Sequence, residues 1–174
     1  MGRKFGRLSG IEPGAVFASR AELAAADIHR PRQAGISGSA AEGADSIVVS
    51  GGYEDDEDYG DVIIYTGQGG NDPQSKHQIA DQSFERGNKA LAVSNAKGFP
   101  VRVVRGPDPN SEFAPQAGYR YDGLYYVDKY WQERGQSGFL VWRYRLVREE
   151  RSGEIPIGGD RLVRQPVLRP QCNG

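Results

Sequence analysis

The residues best equipped for chemistry lie in one stretch, Gly51 to Gly67, which reads GGYEDDEDYGDVIIYTG. Six carboxylates, Glu54, Asp55, Asp56, Glu57, Asp58 and Asp61, fall within eight consecutive positions, with Tyr53, Tyr59 and Tyr65 among and around them. Such a run can chelate a cation, supply a catalytic pair, lie solvated at a sheet edge, or accept hydrogen bonds from a bound group. A calcium loop of the EF-hand kind begun at Asp55 puts Gly60 at the turn but Thr66 where a bidentate Glu is required, so the register fails. A metal-dependent nuclease wants carboxylates brought together from separate segments, with a lysine or histidine base close by, and a contiguous run is not that pattern. A solvated loop that blunts a sheet edge is what composition alone favours. Against it stands the company the acids keep: Gly51-Gly52-Tyr53 before them and Tyr65-Thr66-Gly67 after, which is more aromatic surface and close-approach backbone than a solvated loop needs.

These residue types suit a cytosine turned out of a duplex. Its Watson-Crick edge offers an N4 amino donor beside the N3 and O2 acceptors. A buried carboxylate accepts from N4, glycine backbone N–H groups meet O2, and tyrosine faces stack on the ring, at about 1–3 kcal/mol per base. Because a carboxylate repels phosphate, such a group serves a DNA reader only inside a pocket that the base enters and the backbone does not. The charge layout agrees with this. The chain carries a formal net charge of −1, but without the six clustered acids 22 basic residues face 17 acidic ones, a net of +5. The basic positions include Arg30, Arg32, Lys76, Lys89, Lys97, Arg102 and Arg105.

A pocket needs a frame, and 174 residues are enough for one sizeable core. With 24 glycines and ten prolines, the composition predicts short strands and many tight turns. No apolar stretch approaches the roughly 20 residues of a membrane span, and the basic Met1–Arg7 start is not followed by an apolar run, so a cytosolic protein with no membrane partner is expected. Cys172 is the only cysteine and His29 and His77 the only histidines, which excludes an intrachain disulfide and a zinc site built on Cys or His.

The capping-box spacing of Ser19 and Glu22 predicts a short helix running to Asp27, followed by a loop over 30–44. The β-branched runs Ser46–Ser50 and Val62–Thr66 predict two strands joined by the acidic segment. A glycine-rich loop follows over 67–75, then a helix over 79–94 interrupted at Gly87. Strands are expected over 101–105, 123–131 and 138–147, and a tail or loose edge over 149–174. The expected fold is α+β, a strongly curved, barrel-like sheet with flanking helices.

Several stretches together resemble the SRA (SET and RING associated, or YDG) domain, a reader of 5-methylcytosine in DNA. They are Gly10–Gly14, HRPRQAGI at 29–36, the acidic segment, VRVVR at 101–105, Tyr121-Asp122-Gly123, and GFLVWR at 138–143. The resemblance runs in order from about Gly6 to Arg148, so residues 1–148 are taken as the domain. It implies a PUA-like curved sheet that binds duplex DNA, extrudes the modified cytosine, and has no catalytic residues, cofactor or metal of its own. By position it implies a base pocket formed by the Gly51 and Gly52 backbone, Tyr53 and Tyr65 stacking, Asp56 accepting from N4, and Thr66 near the N3–N4 edge and the methyl group. It places Arg32 and Gln33 on the loop that fills the gap left by the base, and Lys76, His77 and Gln78 on a second, finger-like loop. Plant histone methyltransferase readers of the family also carry Gln at the wedge position. Where the mammalian hemimethylated-CpG reader has an Asn-Lys-Arg finger, this chain has Lys76-His77-Gln78. Neither His77 nor Gln78 reproduces the bidentate fork with which Arg reads guanine, so weak CpG or hemimethylation selectivity is expected. Gln68 falls on the methyl side of the pocket, which leaves 5-hydroxymethylcytosine open as a ligand.

The expected partner is therefore double-stranded DNA containing 5-methylcytosine. The resemblance is to bacterial-type readers, which implies a nucleoid-associated protein in the cytoplasm and a nuclease partner encoded separately. Two other readings stand beside it: a modification-dependent endonuclease subunit that uses Asp56 and its neighbours with Mg²⁺, and a protein-interaction module with the acidic loop on its surface.

Overall fold

The computed structural model describes residues 2–150; Met1 and residues 151–174, with Cys172 and most of the expected tail, lie outside the described residues. The strands are β1 (Val16–Phe17), β2 (Ile36–Ser39), β3 (Gly43–Val49), β4 (Glu57–Asp58), β5 (Val62–Thr66), β6 (Pro100–Arg105), β7 (Tyr119–Arg134) and β8 (Leu140–Arg148). They form one sheet in the order β2-β3-β6-β7-β8-β5-β4, with β1 paired to β7 at the side. The pairing of β3 with β6 is parallel and every other pairing is antiparallel. The end strands β2 and β4 do not pair with each other, so the sheet is mixed and stays open.

The run Ser46–Val49 lacks the alternation of a half-solvated strand because β3 is covered on both faces. Ile47 and Val49 face the larger core with Ile63, Tyr65, Leu91, Val103, Tyr125 and Leu146. Val48 faces the smaller one with Leu23, Ile28, Val104 and Tyr121. Helix α1 (Arg20–Ala25) supplies Leu23 to that smaller core. It starts as the capping spacing predicts, with the Glu22 N–H donating to Ser19 Oγ at 3.2 Å and Glu22 Oε1 accepting from the Ala18 N–H at 2.9 Å.

The expected helix over 79–94 is displaced. Helix α2 spans Gly87–Lys97, and residues 79–86 run instead along the start of β8. There the Gln82 N–H donates to the Leu140 carbonyl at 2.9 Å, Gln82 Oε1 accepts from the Trp142 N–H at 2.9 Å, and Asp81 Oδ1 accepts from the Leu140 N–H at 2.9 Å. The segment thus covers a sheet edge, and Ile79, which the helical pattern points inward, is 59% exposed. The loop expected over 30–44 contains β2, and β7 is longer than predicted at both ends. Glu149, expected to begin the tail, still donates its N–H to the Leu124 carbonyl at 2.8 Å.

Candidate base-binding site

The two strands on either side of the acidic segment do not pair with each other; they belong to different parts of the sheet, β3 beside β6 and β5 beside β8. The acidic segment spans the space between them, and a cavity of about 330 Å³ opens where it does so. Gly52, Tyr53, Asp56 and Tyr65 line this cavity, with Gln33 and Lys76 also on its wall and Gln68 beside them.

Each of the six acids has a hydrogen-bond partner. Glu54 accepts from His77 Nδ1 at 2.8 Å and from the Gln78 N–H at 3.0 Å, and its pKa is drawn down to about 2 by hydrogen bonds from Ser137 and His77. Asp55 is buried and accepts from the Gln136 N–H at 3.0 Å. Glu57 accepts from Arg143 at 2.9 Å, and Asp61 from Arg148 at 2.6 Å. Asp58 receives both Nε and a terminal nitrogen of Arg105, at 2.8 and 2.7 Å, the bidentate geometry that makes such pairs strong. Arg105 is itself 2% exposed and also donates to Asp122 at 2.8 Å. Glu54, Asp55 and Asp58 are thus structural ties, Glu57 and Asp61 form exposed ion pairs, and the sixth acid is Asp56.

Asp56 turns inward. Its Oδ1 accepts from the Thr66 N–H at 2.8 Å, a bond that holds the carboxyl against β5, and among the described residues no hydrogen bond engages its other oxygen. Burial pushes its pKa up to about 7, against the opposing pull of the Thr66 N–H, the nearby Thr66 hydroxyl and the Arg143 charge. Asp56 is thus an acceptor held in a recess with little water to compete for it, which strengthens any hydrogen bond it makes to a bound group.

Tyr65 is 6% exposed and its hydroxyl sits between the Gly35 and Val48 carbonyls, at 3.1 and 3.2 Å. The Tyr53 hydroxyl accepts from the Gly69 N–H at 2.8 Å, and the Gly52 carbonyl accepts from Asn71 Nδ2 at 3.0 Å. A Cβ placed on Gly52 would meet nothing within 4 Å, so the backbone there is open to close approach.

The loop that carries Arg32 and Gln33 is held from beneath. Arg20 donates to the Pro31 and Ala34 carbonyls at 3.0 and 2.6 Å. His29 is fully buried and its Nε2 donates to Ala34 O at 2.9 Å, which fixes the tautomer and makes Nδ1 the acceptor from Ser46 Oγ at 2.7 Å. Burial lowers the His29 pKa to about 4, so the ring is neutral. Arg32 and Gln33 themselves are exposed on this fixed loop. Sequence reasoning did not single out Arg20, whose contribution is made through a helix that looked only structural.

Four sequence expectations need correction. Gln78 is not available on a finger: it is 2% exposed, and its Nε2 donates to the Gly69 and Ala80 carbonyls at 2.8 and 3.0 Å. Lys76 and His77 remain exposed on the same loop. Thr66 does not present its side chain to the cavity: it is 1% exposed and acts through its N–H, while its hydroxyl lies beside Asp56 and helps hold the charged form without reaching hydrogen-bond geometry. Gly51 lines a neighbouring hollow, and its φ of +74° with the Asp108 carboxylate 2.7 Å from the place of a Cβ explains the glycine. Arg102 and Arg105 are not free basic surface; Arg102, at 1% exposed, donates to the Ile28, Lys4 and Gly6 carbonyls at 2.9–3.0 Å.

Residues 4–152 match the family model of the SAD/SRA domain. The chain belongs to the SAD/SRA family. The rat E3 ubiquitin-protein ligase UHRF1 is 42% identical over 170 residues, covering 86% of this chain and 22% of that protein. Among solved structures, the modification-dependent TagI restriction endonuclease superposes with a TM-score of 0.81 at 44% identity, covering 87% of this chain and 54% of that one. The SUVH5 SRA domain in complex with methylated CHH DNA gives a TM-score of 0.72 at 42% identity, covering 88% and 99%, and the same domain has been solved with fully hydroxymethylated CG DNA. The SRA domain here thus spans about a fifth of the curated relative's length and about half of the endonuclease's. Among the described residues, no three acidic or imidazole side chains converge as a metal site.

Proposed function

We propose that this SRA domain reads 5-methylcytosine in double-stranded DNA by taking the base into the cavity between Tyr53 and Tyr65. The observation that carries the reading is Asp56, with one carboxyl oxygen pinned by the Thr66 N–H and the other left for the cytosine N4 amino group. The adjoining Gly52 backbone is open to the O2 side of the base, and Gln33, on a loop fixed by Arg20 and His29, enters the stack in the place the base leaves. Arg30, Arg32 and Lys76 are exposed positive charges, and Lys76 lies on the cavity wall.

With Gln78 withdrawn into the protein and Lys76 and His77 remaining, the finger loop carries no bidentate guanine reader, which favours weak dependence on the neighbouring base pair. The domain performs no chemistry in this reading: the acids a nuclease would need are held by Arg105, Arg143 and Arg148. Any cleavage belongs to another part of a longer protein or to a separate partner.

Gel-shift titrations with unmodified, hemimethylated and fully methylated duplexes, in CpG and non-CpG contexts, test the reading. Tighter binding of methylated duplexes in both contexts, lost in Asp56→Ala, is expected. Equal binding of all duplexes overturns it, and magnesium-dependent cutting of methylated DNA that disappears in Asp56→Ala assigns the acids to catalysis instead.

A further inference from the structure

Two walls of the base cavity, Tyr53 and Asp56, are the outer residues of one β-turn, closed by the Asp56 N–H donating to the Tyr53 carbonyl at 3.2 Å. Glu54 and Asp55 are its central residues. The turn therefore sets how the proposed acceptor stands against the proposed stacking ring. Turn types differ chiefly in the rotation of the peptide that joins the two central residues. Here that peptide carries the Glu54 carbonyl, which accepts from Gln136 Nε2 at 2.7 Å. The Asp55 carboxylate, in a residue 7% exposed, accepts from the Gln136 N–H at 3.0 Å. One residue, 81 and 82 positions further along the chain, thus holds both central residues of the turn. The bonds from His77 and Gln78 to Glu54 end on its side chain rather than on the peptide.

Gln136 stands on a firm base. It lies in the turn between β7 and β8, the two longest strands of the sheet. The Gly135 N–H donates to the Phe139 carbonyl at 2.9 Å, the Gly138 N–H to the Gly135 carbonyl at 2.9 Å, and Arg134 to the Gly138 carbonyl at 2.7 Å. The two turns are closely packed, since a Cβ on Gly135 would overlap Asp55 Oδ2. Gln136 itself is exposed and lies outside the cavity wall, so any effect it has on a bound base passes through the acidic turn.

We infer that Gln136 is a positioning residue for base recognition: by fixing the central peptide of the Tyr53–Asp56 turn, it fixes the Asp56 carboxyl against the Tyr53 ring. This rests on the proposed reading of Asp56 as the acceptor for N4. Selectivity for cytosine, and not only affinity for DNA, then depends on a polar side chain in an exposed hairpin turn beyond the pocket. Thymine opposite guanine exposes that dependence. It shares the methyl group and O2 of 5-methylcytosine but has a carbonyl oxygen where cytosine has the N4 donor.

The experiment measures Kd by fluorescence anisotropy for otherwise identical duplexes with cytosine, 5-methylcytosine or mismatched thymine opposite one guanine. The proteins are the parent domain, Gln136→Met and Gln136→Lys. Met keeps the backbone N–H and the length of the side chain without its donor; Lys restores a donor at the end of a chain of similar reach. In the Met variant the preference for 5-methylcytosine over thymine is expected to fall about 3- to 10-fold, the range of one net hydrogen bond, and in the Lys variant to return to within about twofold of the parent. The easier opening of a mismatched pair is common to all three proteins and cancels. A merely structural role lowers both affinities together and leaves their ratio alone. A ratio within about twofold of the parent in the Met variant, or one lowered equally by Met and Lys, overturns the role of Gln136. The underlying reading fails separately, by a parent domain that does not prefer methylated to plain cytosine.

Discussion

Asp56→Asn should make the protein more stable and a worse reader, and the two effects can be worked from one pocket. The Asp56 carboxyl holds its proton more tightly in the folded chain, at about 7, than at the ordinary value of 3.8, chiefly because burial disfavours the charge. Between those values the folded state carries more proton than the unfolded one, so stability falls as pH rises from 4 to 7 and is level above. The whole shift would correspond to about 4 kcal/mol at 1.36 kcal/mol per unit. Access of solvent through the cavity mouth reduces this to roughly 1–2 kcal/mol. An asparagine carbonyl still accepts from the Thr66 N–H, so the substitution removes the charge and keeps the tie. Urea unfolding at pH 8, 6 and 4 should show the variant more stable by roughly 1–2 kcal/mol at pH 8, a shift in Tm of roughly 2–4 °C per kcal/mol, with the gap closing toward pH 4. Because His29, held neutral with a pKa lowered to about 4, loses stability as pH falls from 6.5, only the difference between the two proteins isolates Asp56. In the same samples the amide aims a donor where N4 needs an acceptor, and methylated-duplex binding should weaken about 10- to 100-fold, from a lost charge-assisted bond of about 1.5–3 kcal/mol. A variant that is less stable at pH 8, or whose advantage does not change with pH, refutes the picture of a recessed charge kept for function.

Other outcomes follow from the surroundings of the pocket. Gln33→Ala should weaken binding to a methylated duplex more than to one with an abasic site opposite the target, measured by fluorescence anisotropy; equal losses would remove Gln33 from the stack. Arg20→Met frees the Pro31 and Ala34 carbonyls and should reduce methylated-duplex affinity about tenfold while the free protein unfolds within about 1 kcal/mol of the parent, since its bonds are partly exposed. Arg105→Met strands the Asp58 carboxylate in the interior, while Asp122 keeps its pair with Arg120, and should destabilise by about 3–5 kcal/mol in chemical denaturation. Arg32→Ala should flatten the dependence of log Kd on log salt by about one phosphate contact, whereas a conservative change at buried Arg102 should leave that slope unchanged in whatever protein folds.

Gly52, Tyr53, Asp56 and Tyr65, which line the cavity, lie in one short stretch of chain, which is why the resemblance could indicate them by position. What the sequence hid lies in partners far along the chain. Asp55 meets Gln136, Glu57 meets Arg143 and Asp61 meets Arg148, all more than 80 residues apart, so nothing in the acidic run itself distinguishes a tie from a solvated charge. Gln78 was misplaced for a related reason, since a polar side chain in a loop rich in Asp, Ser and Lys reads as surface until the Gly69 and Ala80 carbonyls that need it are known. The helix expected from Ile79 failed because Asp81 and Gln82 bond the backbone of β8, a contact that helical geometry over those residues would break. The strands β3 and β5 were legible as β-branched runs, but their places in the sheet were not, because an acidic segment between two strands looks the same whether it closes a hairpin or bridges a gap.

Tyr65 gives the site a mechanical property. Its ring is a wall of the base cavity, while its hydroxyl is pegged to Gly35, two residues beyond Gln33 in the chain. A Cβ at Gly35 would approach that hydroxyl to 2.8 Å, so the two are closely packed. A tilt of the ring disturbs the bond between its hydroxyl and the loop that bears Gln33, and withdrawal of the loop removes that bond. In the proposed reading, filling the cavity and filling the vacated stack then share free energy, and a thermodynamic cycle of Gln33→Ala and Tyr65→Phe should depart from additivity.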